Sequence, residues 1–174
     1  MGRENARLTD DAGDAFVIGT QDLYSDGIDN QGEKMAEAVI KRVSGEDETV
    51  GDFIHEEFTR YGIQNDVDLN YDEFCFAAED ADGRIVGVIT GRAYYNEVHI
   101  GDLIVGEHYR RSGLGRRLVS TVEEAYRDQG YDVITLTTFG FQAPEFYKKL
   151  GYSVEFVRSS KDPKLSKYFL KKDL

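Results

Sequence analysis

What this sequence lacks already excludes several kinds of protein. Cys75 is the one cysteine among 174 residues, so no internal disulfide can form, and a reducing cytoplasm is the default expectation. Cys75 sits in an apolar run and is expected to be a small core residue rather than a nucleophile. No apolar run approaches the length of a membrane span. The first residues, Met1 to Ala6, lack the apolar stretch of a signal peptide, and Ala6 stands where N-myristoylation takes Ser or Thr. Positive charge is scarce: 21 Lys and Arg against 33 Asp and Glu give a net charge of -12. Such a surface repels nucleic acid and attracts a cationic amine, although an adaptation to high salt explains the charge equally well. Metal-ligand patterns also fail. His55-Glu56 opens like a zinc-protease H-E-x-x-H, but Thr59 replaces the second His. Asp22, Asp26, Gly27 and Glu33 fall at calcium-loop places, yet Tyr24 spoils the third place and Asp29 the eighth, so a polar loop is the reading and no metal is expected.

What is present suits one domain. Hydrophobic residues make up 40% of the chain and aromatic residues 12%, enough for a packed interior at this length. Residues 1–34 differ from the rest: Asp, Gly, Asn and Gln dominate, which marks an acidic extension that buries little and is a candidate mobile segment. Met35 opens the part that reads as the domain, 35–174, and is a candidate start of translation. Residues 38–43 fit either a strand or helical spacing. Phe53, Ile54, Phe58 and Tyr61 recur at three and four, predicting an amphipathic helix that starts near Thr49 and ends at Gly62. Residues 74–78, 84–94 and 98–105 read as three strands of an antiparallel meander, with Asp82-Gly83 and Asn96-Glu97 at its turns. A helix is predicted over 113–129, with Leu114, Leu118, Val122 and Ala125 on one face and Gly130 at its end. The β-branched run 132–138 follows as a strand, parallel to 98–105 by the crossover rule. A short helix over 144–150, with Pro144 in its first turn, and strands over 153–157 and 167–170 complete the chain.

The most informative stretch is Arg110-Arg111-Ser112-Gly113-Leu114-Gly115-Arg116-Arg117-Leu118. It lies between an apolar strand and a helix. Glycines there let successive backbone N–H groups share one hollow, to which the helix adds its free amides and the positive end of its dipole. That is an anion site, most often for phosphate. The P-loop lysine is missing, and the dinucleotide fingerprint would need a glycine where Leu118 stands.

The pattern Arg110-x-x-Gly113-x-Gly115 resembles the acetyl-CoA pyrophosphate loop of the GNAT superfamily of N-acetyltransferases. Asp102 to Arg110 resembles the strand and turn that lead into that loop. Ala143-Pro144-Glu145-Phe146-Tyr147-Lys148-Lys149-Leu150-Gly151-Tyr152 resembles the family's A-x-x-F-Y-x-K-x-G-[FY] helix. The resemblance spans roughly residues 38–174. It implies an α/β fold, a single mixed, mostly antiparallel sheet of six to seven strands flanked by helices, whose parallel strand pair splays to hold the cofactor.

The resemblance further implies acetyl-CoA as cosubstrate and direct acetyl transfer, in a ternary complex, to a primary amine of a small molecule or protein. The backbone around Leu103, Ile104 and Val105 would pair with the pantetheine arm. N–H groups of Arg110, Arg111, Ser112, Gly113, Leu114, Gly115 and Arg116 would hold the pyrophosphate, with the Arg111 and Arg116 side chains either meeting phosphate or lying solvated. Tyr147 would be the proton donor to the departing thiolate. Many relatives place a glutamate base where this chain has His99; Asp102 and Glu97 remain rivals, and strand alternation puts His99 and Asp102 on opposite faces unless a bulge intervenes. Where many relatives hold the cofactor arm with Asn, this chain has Gly140, and Gln142 is the candidate substitute. Phe58, Tyr61, Tyr94 and Tyr95 are candidates to wall a cation site. Relatives often dimerise, so a homodimer is open. A noncatalytic acyl-CoA-binding sensor is the alternative function.

Overall fold

The computed structural model describes residues 39–45 and 47–174. The acidic extension 1–34, its calcium-like loop and Met35 lie outside the described residues. Residues 39–45 form neither strand nor helix, so the first predicted element is not seen there.

The remaining elements follow in the order α1 (Glu48–Gln64), β1 (Asp72–Glu79), β2 (Ile85–Tyr94), β3 (Glu97–Val105), α2 (Leu114–Tyr126), β4 (Val133–Phe139), α3 (Pro144–Lys149), β5 (Ser153–Arg158) and β6 (Lys167–Asp173). α1 starts one residue earlier than the apolar spacing indicates, because the Asp47 carboxylate accepts the Thr49 N–H at 3.0 Å and caps it. It also runs through Gly62, which is where the chain folds back: the Val67 N–H donates to the Gly62 carbonyl at 2.9 Å. Asp80 closes the β1–β2 turn, its carboxylate accepting from the Asp82 and Arg84 amides.

The sheet has six strands in the order β1-β2-β3-β4-β6-β5. All neighbours are antiparallel except β3 and β4, whose α2 crossover makes them parallel. The core lies on the sheet face that α2 and α3 cover. There Phe74, Ile89, Val98, Ile100, Ile134 and Leu136 meet Leu118, Val119, Val122 and Tyr126 of α2 and Tyr147 of α3. The buried stripe of α2 is rotated from the predicted one. Val119 and Tyr126 point inward and Ala125 is exposed, because the Tyr126 ring packs on Phe74 with centroids 5.3 Å apart.

Cys75 corrects the expectation of a core thiol. It is exposed, because Phe74 takes the core face at that point of β1 and its neighbour must point the other way.

Burial raises the phenols of Tyr126, Tyr147 and Tyr152 above the ordinary value near 10; a hydrogen bond to Asp72 adds to it for Tyr126, and the charge of Glu123 for Tyr152. Tyr147 reaches about 12. The fold therefore holds protons that the unfolded chain releases first, so stability falls as pH rises from about 10. Tyr147 alone accounts for on the order of 2–3 kcal/mol of this loss by pH 12. Urea unfolding at pH 8, 9.5 and 10.5 is expected to show the midpoint dropping only in the last step; an unchanged midpoint at pH 10.5 would contradict these buried phenols.

Candidate active site

Two backbone features define the site. The first is a break between parallel strands. β3 and β4 pair only over Glu97–Ile100 and Val133–Leu136. Beyond that, β3 stays with β2 as far as Val105 opposite Gly87, and β4 stays with β6 as far as Phe139 opposite Lys167. The two strands part, and from Gly101 to Val105 the β3 edge facing β4 has no strand partner. Leu103 and Val105 turn their side chains to the core, while Ile104 is exposed.

The second feature is the turn from β3 into α2. A 3-10 turn over Glu107–Tyr109 leads into it. The Arg110 amide donates to the Glu107 carbonyl, the Arg110 Nε donates to the Val105 carbonyl at 3.1 Å, and the Ser112 hydroxyl donates to the Tyr109 carbonyl at 2.6 Å. Arg110 thus ties the loop to the strand end. The first helical bond is from the Arg117 N–H to the Gly113 carbonyl. Between these fixed points, the consecutive N–H groups of Arg111, Ser112, Gly113, Leu114, Gly115 and Arg116 have no acceptor among the described residues. Arg111 and Gly113 both adopt positive φ, 62° and 88°, as a concave run of amides requires. The Arg111 and Arg116 side chains are exposed and form no ion pair among the described residues. Unpaired amides at a helix N-terminus, flanked by free guanidinium groups in an otherwise acidic chain, suit the pyrophosphate of a nucleotide-tailed thioester. Among the described residues no cluster of His, Cys, Asp or Glu fits a metal ion, and no helix is long and apolar enough to cross a membrane.

The candidate acid and base stand on different faces of the sheet. Tyr147 lies in the core on the α2 and α3 face, 7% exposed, its ring 5.0 Å from that of Phe146 and 5.7 Å from that of Tyr152. Its hydroxyl makes no hydrogen bond among the described residues. His99 is on the opposite face, one residue before the last β3–β4 pair. A β-bulge resolves the question of Asp102. Thr90 faces two residues, Gly101 and Asp102, and its hydroxyl accepts the Asp102 N–H at 3.2 Å. The extra residue flips the alternation, so Val98 and Ile100 share the core face with Leu103 and Val105, and Asp102 falls on the side of His99. Asp102 is exposed and forms no ion pair among the described residues, whereas His99 sits in a network. Its Nδ1 is 2.7 Å from the Thr135 hydroxyl, which donates to the Glu97 carboxylate. The His99 ring, and after it the Thr135 hydroxyl, hold the Glu97 carboxyl below its ordinary value. Thr135 carries no signal in the linear sequence; only the parallel register of β3 and β4 places it opposite His99.

Gly140 departs from the expected Asn for a steric reason. A Cβ there would lie 2.5 Å from the Pro163 carbonyl oxygen and 3.4 Å from that of Lys164, and the Gly140 N–H donates to the Ser166 carbonyl. Gln142 caps the strand end instead: its Oε1 accepts from the Phe139 N–H at 2.8 Å and the Thr138 hydroxyl at 3.3 Å. Gly140→Ala is expected to lose about 2 kcal/mol, read as a falling denaturation midpoint, because backbone must move to admit the methyl. A midpoint within experimental error of the parent would show that the 163–166 turn yields freely.

Splayed parallel strands joined by a turn of unpaired amides are the arrangement that the sequence resemblance implies for an acyl-CoA-dependent transferase. The chain belongs to the GNAT family of acetyltransferases, whose sequence pattern matches residues 40–152. It is 30% identical over 93 residues to the blasticidin-S acetyltransferase of Streptomyces morookaense, covering 53% of this chain and 68% of that protein. It is 33% identical over 81 residues to an uncharacterized N-acetyltransferase of Methanocaldococcus jannaschii, covering 45% of this chain and 52% of that one. A crystal structure of an acetyltransferase from Bacillus cereus superposes with a TM-score of 0.63 at 31% identity, over 77% of this chain and 98% of that one. The chain is therefore an acyltransferase, and acetyl-CoA is the acyl donor of its family.

Proposed function

We propose that this protein transfers the acetyl group of acetyl-CoA to a primary amine of a small molecule or protein, by direct attack in a ternary complex. The observation that carries the proposal is the run of unpaired amides from Arg111 to Arg116 beside the open edge of β3. In this reading those amides grip the pyrophosphate, and the backbone at Leu103, Ile104 and Val105 pairs with the pantetheine arm as an added strand would. A solved acetyltransferase from Bacillus anthracis, 20% identical with a TM-score of 0.53, is in complex with acetyl coenzyme A. That likeness shows the fold alone.

The thioester then lies in the strand gap, approached by His99 from one face and Tyr147 from the other. A protonated amine is no nucleophile and has an ordinary pKa near ~10.4. His99 accepts its proton at a ring nitrogen. The amine nitrogen forms a bond to the acetyl carbon, the carbon–sulfur bond breaks, and the sulfur leaves with the electron pair and takes up the second proton, which the nitrogen sheds as it becomes an amide. Tyr147 donates a hydrogen bond to that sulfur as charge develops. The products are the amide, coenzyme A and one proton. An acidic surface with net charge -12 favours approach of the cationic acceptor.

The test is thiol release from acetyl-CoA across a panel of small amines and lysine peptides, alongside calorimetry with coenzyme A. Micromolar binding and amine-dependent release are expected. Tight binding without release on any amine would move the reading to a noncatalytic acyl-CoA sensor, and no binding at all would remove both.

A further inference from the structure

We propose that Thr135 and Glu97 are positioning residues, which fix His99 as the tautomer protonated on Nδ1 and so present a bare Nε2 to the acceptor amine. The inference rests on the reading of His99 as base, and goes beyond it by naming the nitrogen and the groups that select it.

The argument is proton bookkeeping. A threonine hydroxyl has one proton to give. That proton goes to Glu97, because an ionised carboxylate can only accept. The Thr135 oxygen therefore meets the imidazole with a lone pair, and a contact of 2.7 Å to Nδ1 is a hydrogen bond only if Nδ1 carries hydrogen. In the neutral ring, Nε2 is then left with its lone pair. The same carboxylate is 3.6 Å from Nδ1, close enough to stabilise the imidazolium that forms when Nε2 takes a proton. The network joins two strands at the point where they are about to part: Glu97 and His99 come from β3, Thr135 from β4 directly across from His99. Lying just before the last β3–β4 pair, it holds the base still at the closed end of the gap.

The other charged groups around the network are consistent with this assignment. Arg92 is the cross-strand neighbour of His99 on β2, and Lys171 that of Thr135 on β6. Neither has a lone pair to offer when charged, so neither can take the Nδ1 proton from Thr135. Arg92 makes the Glu97 charge more valuable, since without it the imidazolium would face that cation alone, whereas Lys171 is already ion-paired with Glu155 and Asp173, each at 3.8 Å.

The experiment is a long-range proton–nitrogen correlation spectrum of the intact protein. The chain has 3 histidines, so the His99 signals are assigned by their loss in His99→Gln. The neutral His99 ring is expected to carry its proton on Nδ1. Thr135→Ser keeps the hydroxyl and is expected to keep that pattern. Glu97→Leu frees the Thr135 proton to turn toward the ring, and the ring proton is expected to move to Nε2. In steady-state kinetics with an amine found by the panel, Glu97→Leu and Thr135→Val are expected to lower kcat about tenfold, with KM for acetyl-CoA within about twofold, and Thr135→Ser to restore turnover. Calorimetry with coenzyme A confirms that each variant keeps its fold.

A wild-type ring protonated on Nε2 would overturn the positioning role even if His99→Gln is slow, in which case the base survives on other support. A fast His99→Gln variant would overturn both the base and the positioning role.

Discussion

Tyr147→Phe is expected to lower kcat about a hundredfold while leaving the affinity for acetyl-CoA within about threefold. The substitution removes one oxygen and little else. The ring is buried, and its contacts with Phe146 and Tyr152 are made by carbons that phenylalanine keeps. The hydroxyl has no partner among the described residues, so no internal hydrogen bond is lost. An unpartnered phenol held on a mostly apolar face has a role only when something arrives to accept its hydrogen bond. Burial pushes it up to about 12, which alters the mechanism read from the sequence. A phenol of ordinary acidity could hand its proton to a thiolate of about 8.5 at modest cost. At about 12 the same transfer runs uphill by roughly 3.5 units, or about 5 kcal/mol. In the proposed mechanism Tyr147 is therefore a neutral donor that stabilises the sulfur as it leaves, not a proton reservoir that empties each cycle. Two measurements check this together. Turnover of Tyr147→Phe should fall, and the parent enzyme should show no loss of activity assignable to this phenol below about pH 11. Undiminished turnover in the variant would remove Tyr147 from the mechanism.

Much of this molecule can be read from local sequence, and the failures share one cause. Asp82-Gly83, Gly113-Leu114-Gly115 and Pro144 each announce a turn or helix start through their own backbone preferences, and each marks one in the structure. The order strand, helix, strand around α2 forces the parallel pair from handedness alone. What stayed hidden depends on partners distant in sequence. The bulge at Gly101 and Asp102 exists only in the pairing with Thr90, so alternation along β3 could not reveal which face Asp102 takes. Gly140 is small because the Pro163 carbonyl crowds it, a contact spanning more than twenty residues. Cys75 looks like core when its apolar neighbours are counted, yet the core occupies only one face of β1. The spacing over 38–43 fits either a strand or a helix, yet residues 39–45 form neither.

Gly113→Val is expected to weaken coenzyme A binding about a hundredfold, and Gly113→Asn by no more than a few-fold. The contrast isolates backbone shape from side-chain bulk. A Cβ at Gly113 would meet nothing within 4 Å, so space is not the obstacle. The obstacle is φ of 88°, which a β-branched residue resists strongly and Asn tolerates. Valine must rotate toward negative φ, and the neighbouring Ser112 and Leu114 amides then swing out of the shared hollow. Losing two hydrogen bonds to a charged phosphate, at about 1.5 kcal/mol each, amounts to about 3 kcal/mol, or roughly a hundredfold. The exposed arginines around the loop should soften this loss little, because solvated charges attract an anion without fixing its position. The same reasoning separates the loop from the helix dipole. If the dipole alone held the anion, valine would be tolerated, since α2 begins after Gly113 and keeps its axis. Calorimetry of the two variants at one salt concentration decides between these sources of affinity: equal binding by the valine and asparagine variants would mean that the amides from Arg111 to Arg116 are not the grip.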